Sequence, residues 1–329
     1  MAEVRNAVRH HRVAAEEEGQ RIDNYLIRLL KGVPRSRIYR LLRKGEVRVD
    51  GGRARPTRRL RAGEVIRVPP VALAETVQPR APSEPLTRRL STGILYEDDA
   101  LLVLDKPSGL AVHGGSSVRL GLIEALRSLR PDAPYLELVH RLDRETSGCL
   151  MVAKRALVLR ALHTQLRDGG VEKSYHALMA GEWRGDKLTV DAPLERLPVS
   201  YRDRQVHVSP RGRTARTEFT ALQRRAGYTF AEARIETGRM HQIRVHATHV
   251  GHPVAGDDRY GDRDRNAGLR SVGLRRLFLH AHRLELAHPE TGERLSVTAP
   301  LSEDLRQVLE RLPAHGPLRE AHSPTGESE

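Results

Sequence analysis

Residues 140–148 read His-Arg-Leu-Asp-Arg-Glu-Thr-Ser-Gly and hold one acidic residue, Asp143, between Arg141 and Arg144. An ionised carboxylate on a loop can act as a base or as a nucleophile. The competing reading is an ordinary surface acid paired with its arginine neighbours. A second constellation is histidine: His241, His246, His249 and His252 lie close together, and such clusters can hold zinc. On a helix, however, His241 and His249 share a face while His246 points elsewhere. No His-Glu-x-x-His pattern is present, and a single cysteine, Cys149, excludes a Cys-based cluster. No metal is expected. The glycines near residues 106–115 match neither Gly-x-x-x-x-Gly-Lys-Ser/Thr nor Gly-x-Gly-x-x-Gly, so no nucleotide cofactor is expected either.

The elements that must position Asp143 are legible on both sides of it. Residues 136–139 and 149–153 are apolar and strand-like, which places Asp143 on a loop between buried strands. Further along, residues 155–167 have helical spacing and residues 172–181 alternate as a strand. Residues 214–222 and 228–235 read as a β-pair, and 236–249 as a turn leading into a helix. Residues 277–286 and 294–298 are strand-like, residues 256–262 are turn-rich, and residues 302–312 form a last helix. Strands outnumber helices without βαβ alternation. The expected fold is α+β: a small α/β unit, then a large domain on a mostly antiparallel mixed sheet with flanking helices.

That small unit is two short helices, at residues 21–30 and 37–43, with Ser36 as a candidate cap and Gly45 as a stop. A small sheet follows, with strands at 47–49 and 64–68. Residues 28–67 carry 14 Lys/Arg against 3 Asp/Glu, a surplus on a folded unit that points to phosphate contact. The formal charge of the whole chain, +14, agrees with a polyanion partner. Only 4% of residues are aromatic, which argues against single-strand binding on many stacking platforms. The candidate RNA contacts here are Arg35, Arg37, Arg40, Arg43 and Lys44. No apolar run approaches the ~18 residues of a membrane span, and no secretory signal is seen, so no membrane association and a cytoplasmic setting are expected. The domain reading is a polar lead-in (1–19), the basic unit (20–69), a Pro-rich linker (70–92), a large domain (93–312) and a disordered tail (313–329).

The pattern Arg-Ile-Asp-x-Tyr-Leu, then Ser-Arg, then Gly-x-Val-x-Val-Asp-Gly, resembles the S4 RNA-binding domain over residues 20–69. The acidic loop, Lys173-Ser-Tyr175 and the Gly-Arg-x-His-Gln-Ile-Arg-Val-His stretch resemble the RluA-type pseudouridine synthases from about residue 93 to 312. Residues 111–115, 138–140 and 257–262, with the leading S4 unit, look most like the C-type synthases of the large ribosomal subunit; the D type shares similar motifs. The resemblance implies isomerisation of uridine to pseudouridine in 23S rRNA or a large-subunit assembly intermediate, with no cofactor. It matches Asp143 to the catalytic carboxylate, as nucleophile or base. It matches Arg244 to that carboxylate's charge partner, Tyr175 to the base-packing tyrosine, and Arg141 to the arginine that fills the gap left by a flipped nucleotide. His140, Arg239 and His241 are expected to shape the pocket. A monomer is the default expectation. A binding protein without catalysis would not account for a domain of this size carrying the acidic loop.

Overall fold

The structure, a computed structural model, describes residues 4–5, 7–30, 33, 35–72, 81–114, 120–183, 185–197 and 205–314. The side chains of residues 4, 5, 35 and 72 are outside that description. So are most of the expected break at 32–34, Gly115, the middle of the linker (73–80) and the tail from residue 315. The chain divides into two compact units, one from residues 1–144, 149–170 and 286–297, the other from residues 145–148, 171–285 and 298–329.

The first unit begins with the basic segment. Helix α1 (Ile22–Leu29) buries Ile22, Tyr25 and Leu26, and helix α2 (Arg35–Lys44) buries Ile38, Leu41 and Leu42. These spacings put the apolar residues on one stripe of each helix, and both stripes join one core with Val49, Leu60, Ile66 and Val68. The sheet under them runs Arg9–Arg12, Val65–Val68, Arg48–Val49, Gly52–Arg53, all antiparallel. Asp50 and Gly51 both take positive φ, as a two-residue hairpin turn requires, and the Asp50 carboxylate accepts the Val65 N–H at 2.8 Å. Gly45, with φ 70°, ends α2. Ser36 lies inside α2 rather than capping it, because the helix starts a residue earlier at Arg35.

Two further stretches differ from expectation. Residues 9–12, read as polar lead-in, form an edge strand; an edge strand is held by backbone pairing and needs no apolar alternation. Glu84–Thr92, read as extended linker, is a helix with Pro85 in its first turn, where a proline's missing N–H costs nothing. The remainder of this unit contains Ile94–Glu97 paired antiparallel with Leu101–Lys106, and Glu137–Leu138 paired antiparallel with Val152 and Ala153. Helices Leu122–Leu129 and Ala156–Arg167 accompany them. Leu101 to Leu104 and Cys149 to Ala153 are fully buried.

The second unit is built on β1 (Val171–Ala180), β2 (Arg216–Arg225), β3 (Tyr228–Ile235) and β4 (Leu279–Ala287). The strand order is Lys187–Asp191, β2, β3, β1, β4. β2 pairs antiparallel with β3 and with Lys187–Asp191, and β3 pairs antiparallel with β1. Ser147 and Gly148 pair in parallel with His280 and Ala281, which makes the sheet mixed. The last helix, Glu303–Arg311, sets Leu305, Val308 and Leu309 against Leu178, Phe230 and Phe278. Among the described residues no helix is long and apolar enough to cross a membrane.

Gly148 marks where the acidic loop enters the sheet. Its φ is +105°, and a Cβ there would sit 2.2 Å from the Ala281 carbonyl oxygen. Neither the backbone conformation nor the neighbouring strand leaves room for a side chain. Gly148→Ala is therefore expected to destabilise the protein by more than about 2 kcal/mol. An unchanged midpoint in urea denaturation would contradict that account.

Candidate active site

Asp143 is half-buried, Arg141 is exposed, and Leu142 between them is buried and anchors the loop. The backbone just after Asp143 is held by Lys106, which is fully buried at the end of Leu101–Lys106. Its ammonium donates to the carbonyls of Pro107 (2.8 Å), Leu110 (2.9 Å) and Arg144 (3.0 Å). The Gly109 N–H also donates to the Arg144 carbonyl at 2.9 Å, and the Arg144 Nε–H donates to the Gly109 carbonyl at 2.9 Å. The stretch after Lys106 is thus a brace for the acidic loop. His140 has a related role: its Nε2 accepts the Met151 N–H at 3.1 Å.

The end of the loop is fixed in the second unit. Arg276 Nη1 donates to Ser147 Oγ at 3.2 Å, and Ser147 Oγ lies 2.9 Å from His280 Nδ1. His280 Nε2 faces the Ala299 carbonyl at 3.2 Å, which can only accept. The proton therefore sits on Nε2, leaving Nδ1 to accept from the Ser147 hydroxyl. Burial pulls His280 down to about 4, so the ring stays neutral and the chain of donors holds.

Arg244 lies on helix α3 (Gln242–His249) and is only 9% exposed. Its Nε and Nη2 donate to the two carboxylate oxygens of Asp257 at 2.7 and 2.8 Å. Asp257 is buried, which works against its charge, but the Arg244 fork and the N–H groups of Tyr260 and Arg259 hold its carboxyl below the usual range. The Tyr260 ring lies 5.1 Å from the guanidinium carbon of Arg244. Its hydroxyl accepts the Val206 N–H at 3.0 Å and lies 2.8 Å from His241 Nδ1. Tyr260 therefore links Arg244 to His241. His241 itself has φ 55°, a left-handed conformation for a non-glycine residue, where α3 begins. Gln242 secures that start: its Oε1 accepts from the Thr237 hydroxyl and the Arg239 N–H, and its Nε2 donates to Thr217 and the Arg216 carbonyl. Arg239 donates through Nε to the Thr214 carbonyl at 3.1 Å.

Tyr175 sits on β1 opposite Ala233 and is 8% exposed. The other histidines are largely engaged by protein. His246 Nε2 faces the Ala192 carbonyl and its Nδ1 the Thr217 hydroxyl, while His252 Nδ1 faces the Ala180 carbonyl. The basic helix α2 leaves Arg40, Arg43 and Lys44 exposed and Arg37 half-buried, away from its apolar stripe. For Arg35 only the backbone is described.

Sequence reasoning did not single out Lys106, Asp257, Tyr260 or Gln242 as site residues. A lysine closing the apolar run Leu-Leu-Val-Leu was the available signal for Lys106. The pairing of Asp257 with Arg244 is tertiary and has no local signature.

A family model described as RNA pseudouridylate synthase matches residues 100–249, and an S4 domain model matches residues 20–66. The chain is 49% identical over 323 residues to ribosomal large subunit pseudouridine synthase C of Pasteurella multocida, covering 97% of each protein. It is 50% identical over 303 residues to the protein of the same name from Escherichia coli (strain K12), covering 91% of this chain and 95% of that one. Among solved structures, human RNA pseudouridylate synthase domain containing 4 superposes with a TM-score of 0.58 at 28% identity, covering 71% of this chain and 97% of that one. Identity at this level over almost the full length, together with the S4 and synthase model matches, establishes that the chain belongs to the RluA-type pseudouridine synthases that carry a leading S4 domain.

Proposed function

We propose that this protein isomerises specific uridines of 23S ribosomal RNA to pseudouridine, and that Asp143 is the carboxylate that acts on an extruded uridine. The observation that carries the substrate is the near-full-length likeness to large-subunit synthases of the C type. The observation that supports the carboxylate is the bracing of its loop by a buried ammonium and the Ser147–His280 contact. A surface acid making casual ion pairs needs no such scaffold. A working carboxylate does, because a reacting group must be held in place before substrate arrives.

The reaction breaks the N1–C1′ bond, turns the uracil and forms a C5–C1′ bond, so nothing is exchanged with a second substrate. Asp143 acts on the ribose, either by attack at C1′ or by removing a ribose proton. Both routes need the ionised carboxyl. Arg244 is assigned as the cation that favours that form. Its Nε edge is occupied by Asp257, so the fork is presented in one orientation instead of sweeping through rotamers. Tyr175 packs against the base, Arg141 occupies the space the uridine leaves, and His140, Arg239 and His241 shape the pocket. The substrate RNA is held in part by α2 through Arg35, Arg37, Arg40, Arg43 and Lys44. The partner is 23S rRNA or a large-subunit assembly intermediate, met by a monomer in the cytoplasm.

Asp143→Asn should lower pseudouridine formation by at least roughly a thousandfold while RNA affinity stays within a few fold. Pseudouridine mapping in 23S rRNA after incubation with the variant tests this, and residual turnover near the native rate would remove Asp143 from the chemistry. Asp257→Asn turns a donor toward Arg244 and should destabilise the fold by about 3 kcal/mol or more. Because the Asp257 carboxyl is held below its ordinary value, its contribution is present above about pH 4 and disappears as pH falls through the lower folded value. The variant should therefore show a flatter stability curve in acid, and equal acid sensitivity in the two proteins would refute the pairing. Replacing Arg40, Arg43 and Lys44 together by alanine should leave thermal stability unchanged and reduce the salt slope of RNA binding by about 2. A native slope, measured by titration across salt concentrations, would take α2 off the RNA.

A further inference from the structure

Strand β1 carries a second basic group whose environment is unlike that of Lys106. Lys173 and Tyr175 are two residues apart, so their side chains share one face of the strand. Both are largely buried, at 7% and 8% exposure, with the Lys173 ammonium itself still reaching solvent. Among the described residues, Lys173 has neither a hydrogen-bond acceptor nor a carboxylate partner; burial alone acts on it, and pulls it below the usual lysine range. The neighbouring Glu172 points to the other face, where it is exposed and pairs with Arg234 at 3.8 Å. Lys106 shows how this chain satisfies a buried ammonium, with three carbonyls within 3.0 Å. Lys173 has been given none. An ammonium left in that state costs stability in the unliganded protein, and such a cost is characteristic of a group whose partner is the ligand.

We propose that Lys173 is a catalytic residue whose ammonium donates to a carbonyl oxygen of the extruded uracil. This rests on the proposed uridine chemistry, with the base lying beside Tyr175. When N1–C1′ breaks, its electron pair stays on the ring, which becomes an anion spread over N1 and the carbonyl oxygens. When the new bond forms, a pair from C5 joins C1′, the C5 proton is lost and N1 gains one. Lys173 transfers no proton in this sequence. It stabilises the ring charge while it exists, and that charge restores the cation's preference for its protonated form. The role is the same whether Asp143 attacks C1′ or removes a ribose proton, because uracil departs as an anion in both routes. A fixed donor aimed at developing charge in a dry site is worth about 100-fold to 1,000-fold in rate.

The test compares wild type, Lys173→Met and Lys173→Gln by single-turnover pseudouridine formation on an rRNA fragment, RNA binding and thermal melting. Lys173→Met should slow the chemical step about 100-fold, leave RNA affinity within about twofold, and melt at or above the wild-type temperature, because an uncompensated charge has been removed. Lys173→Gln, which keeps a neutral donor, should fall between the two in rate. A lysine with a merely structural role would lose melting temperature and rate together, and that outcome overturns the proposal. So does a rate within threefold of wild type for either variant. Asp143→Asn run alongside separates the two claims: if it still forms pseudouridine, the Asp143 reading fails. If it is inactive while Lys173→Met is fully active, only the assignment of Lys173 falls.

Discussion

One fully buried ammonium fixes the backbone that carries Asp143. Lys106 donates to three carbonyls, and one of them belongs to Arg144, the residue next to Asp143. Without its carbonyl partners the buried charge would cost stability, and without the charge the carbonyls of residues 107, 110 and 144 would lose a shared donor. Each side of the bargain enforces the other. The loop is therefore set by the fold before any RNA arrives. Under the proposed reaction on an extruded uridine this matters, because extruding the base already costs free energy and a loop that also had to be ordered would add to it. The far end of the loop is fixed by different means: a neutral His280 accepting from Ser147, and a glycine whose Cα lies too close to the Ala281 carbonyl for any Cβ.

Arg244 shows the same logic with a carboxylate in place of the carbonyls. A buried guanidinium is tolerable only with a carboxylate, and Asp257 supplies both oxygens in one plane. Asp257 is in turn held by the backbone N–H groups of its own turn, at 2.9 and 3.0 Å. Tyr260, three residues on, covers the guanidinium with its ring and reaches His241 and Val206 with its hydroxyl. A turn of four residues thus orients the arginine and the strained first turn of its helix together. The left-handed φ of His241 is held because Gln242 and Tyr260 engage the chain on either side of it.

Most of the large elements were legible because they follow the two periodicities that burial imposes. The helix expected at 155–167 spans Ala156–Arg167, the strand expected at 172–181 spans Val171–Ala180, and the β-pair ending at 235 is present with the turn where it was expected. Arg9–Arg12 was illegible because Arg-His-His-Arg has no apolar face, and its place in the sheet is won by backbone pairing with Val65–Val68. Glu84–Thr92 was hidden by its proline, which reads as a breaker everywhere except the first turn of a helix. Arg263–Leu269 has no apolar stripe to announce a helix, and Asp262, which caps it through two backbone N–H groups, closes the turn-rich stretch 256–262. At the site, motif resemblance reached the residues assigned to meet substrate. It covered residues 257–262 but gave no role to Asp257 or Tyr260, nor to Lys106, because those roles depend on partners far along the chain or across a turn.

The two buried lysines bring these observations to a point. They are chemically identical, and local sequence gives no reason to treat them differently. Lys106 closes an apolar strand and is saturated with acceptors, so its charge contributes to structure. Lys173 lies within an apolar strand and, among the described residues, has no protein acceptor, so burial works against its charge in the folded state. A chain under selection for stability alone would replace Lys173 with an aliphatic residue of similar length, at no cost in packing. Its presence beside Tyr175 is intelligible if the missing acceptor is supplied during turnover. Under the proposed reaction, the same face of β1 would then hold the base with an aromatic ring and receive its charge with an ammonium.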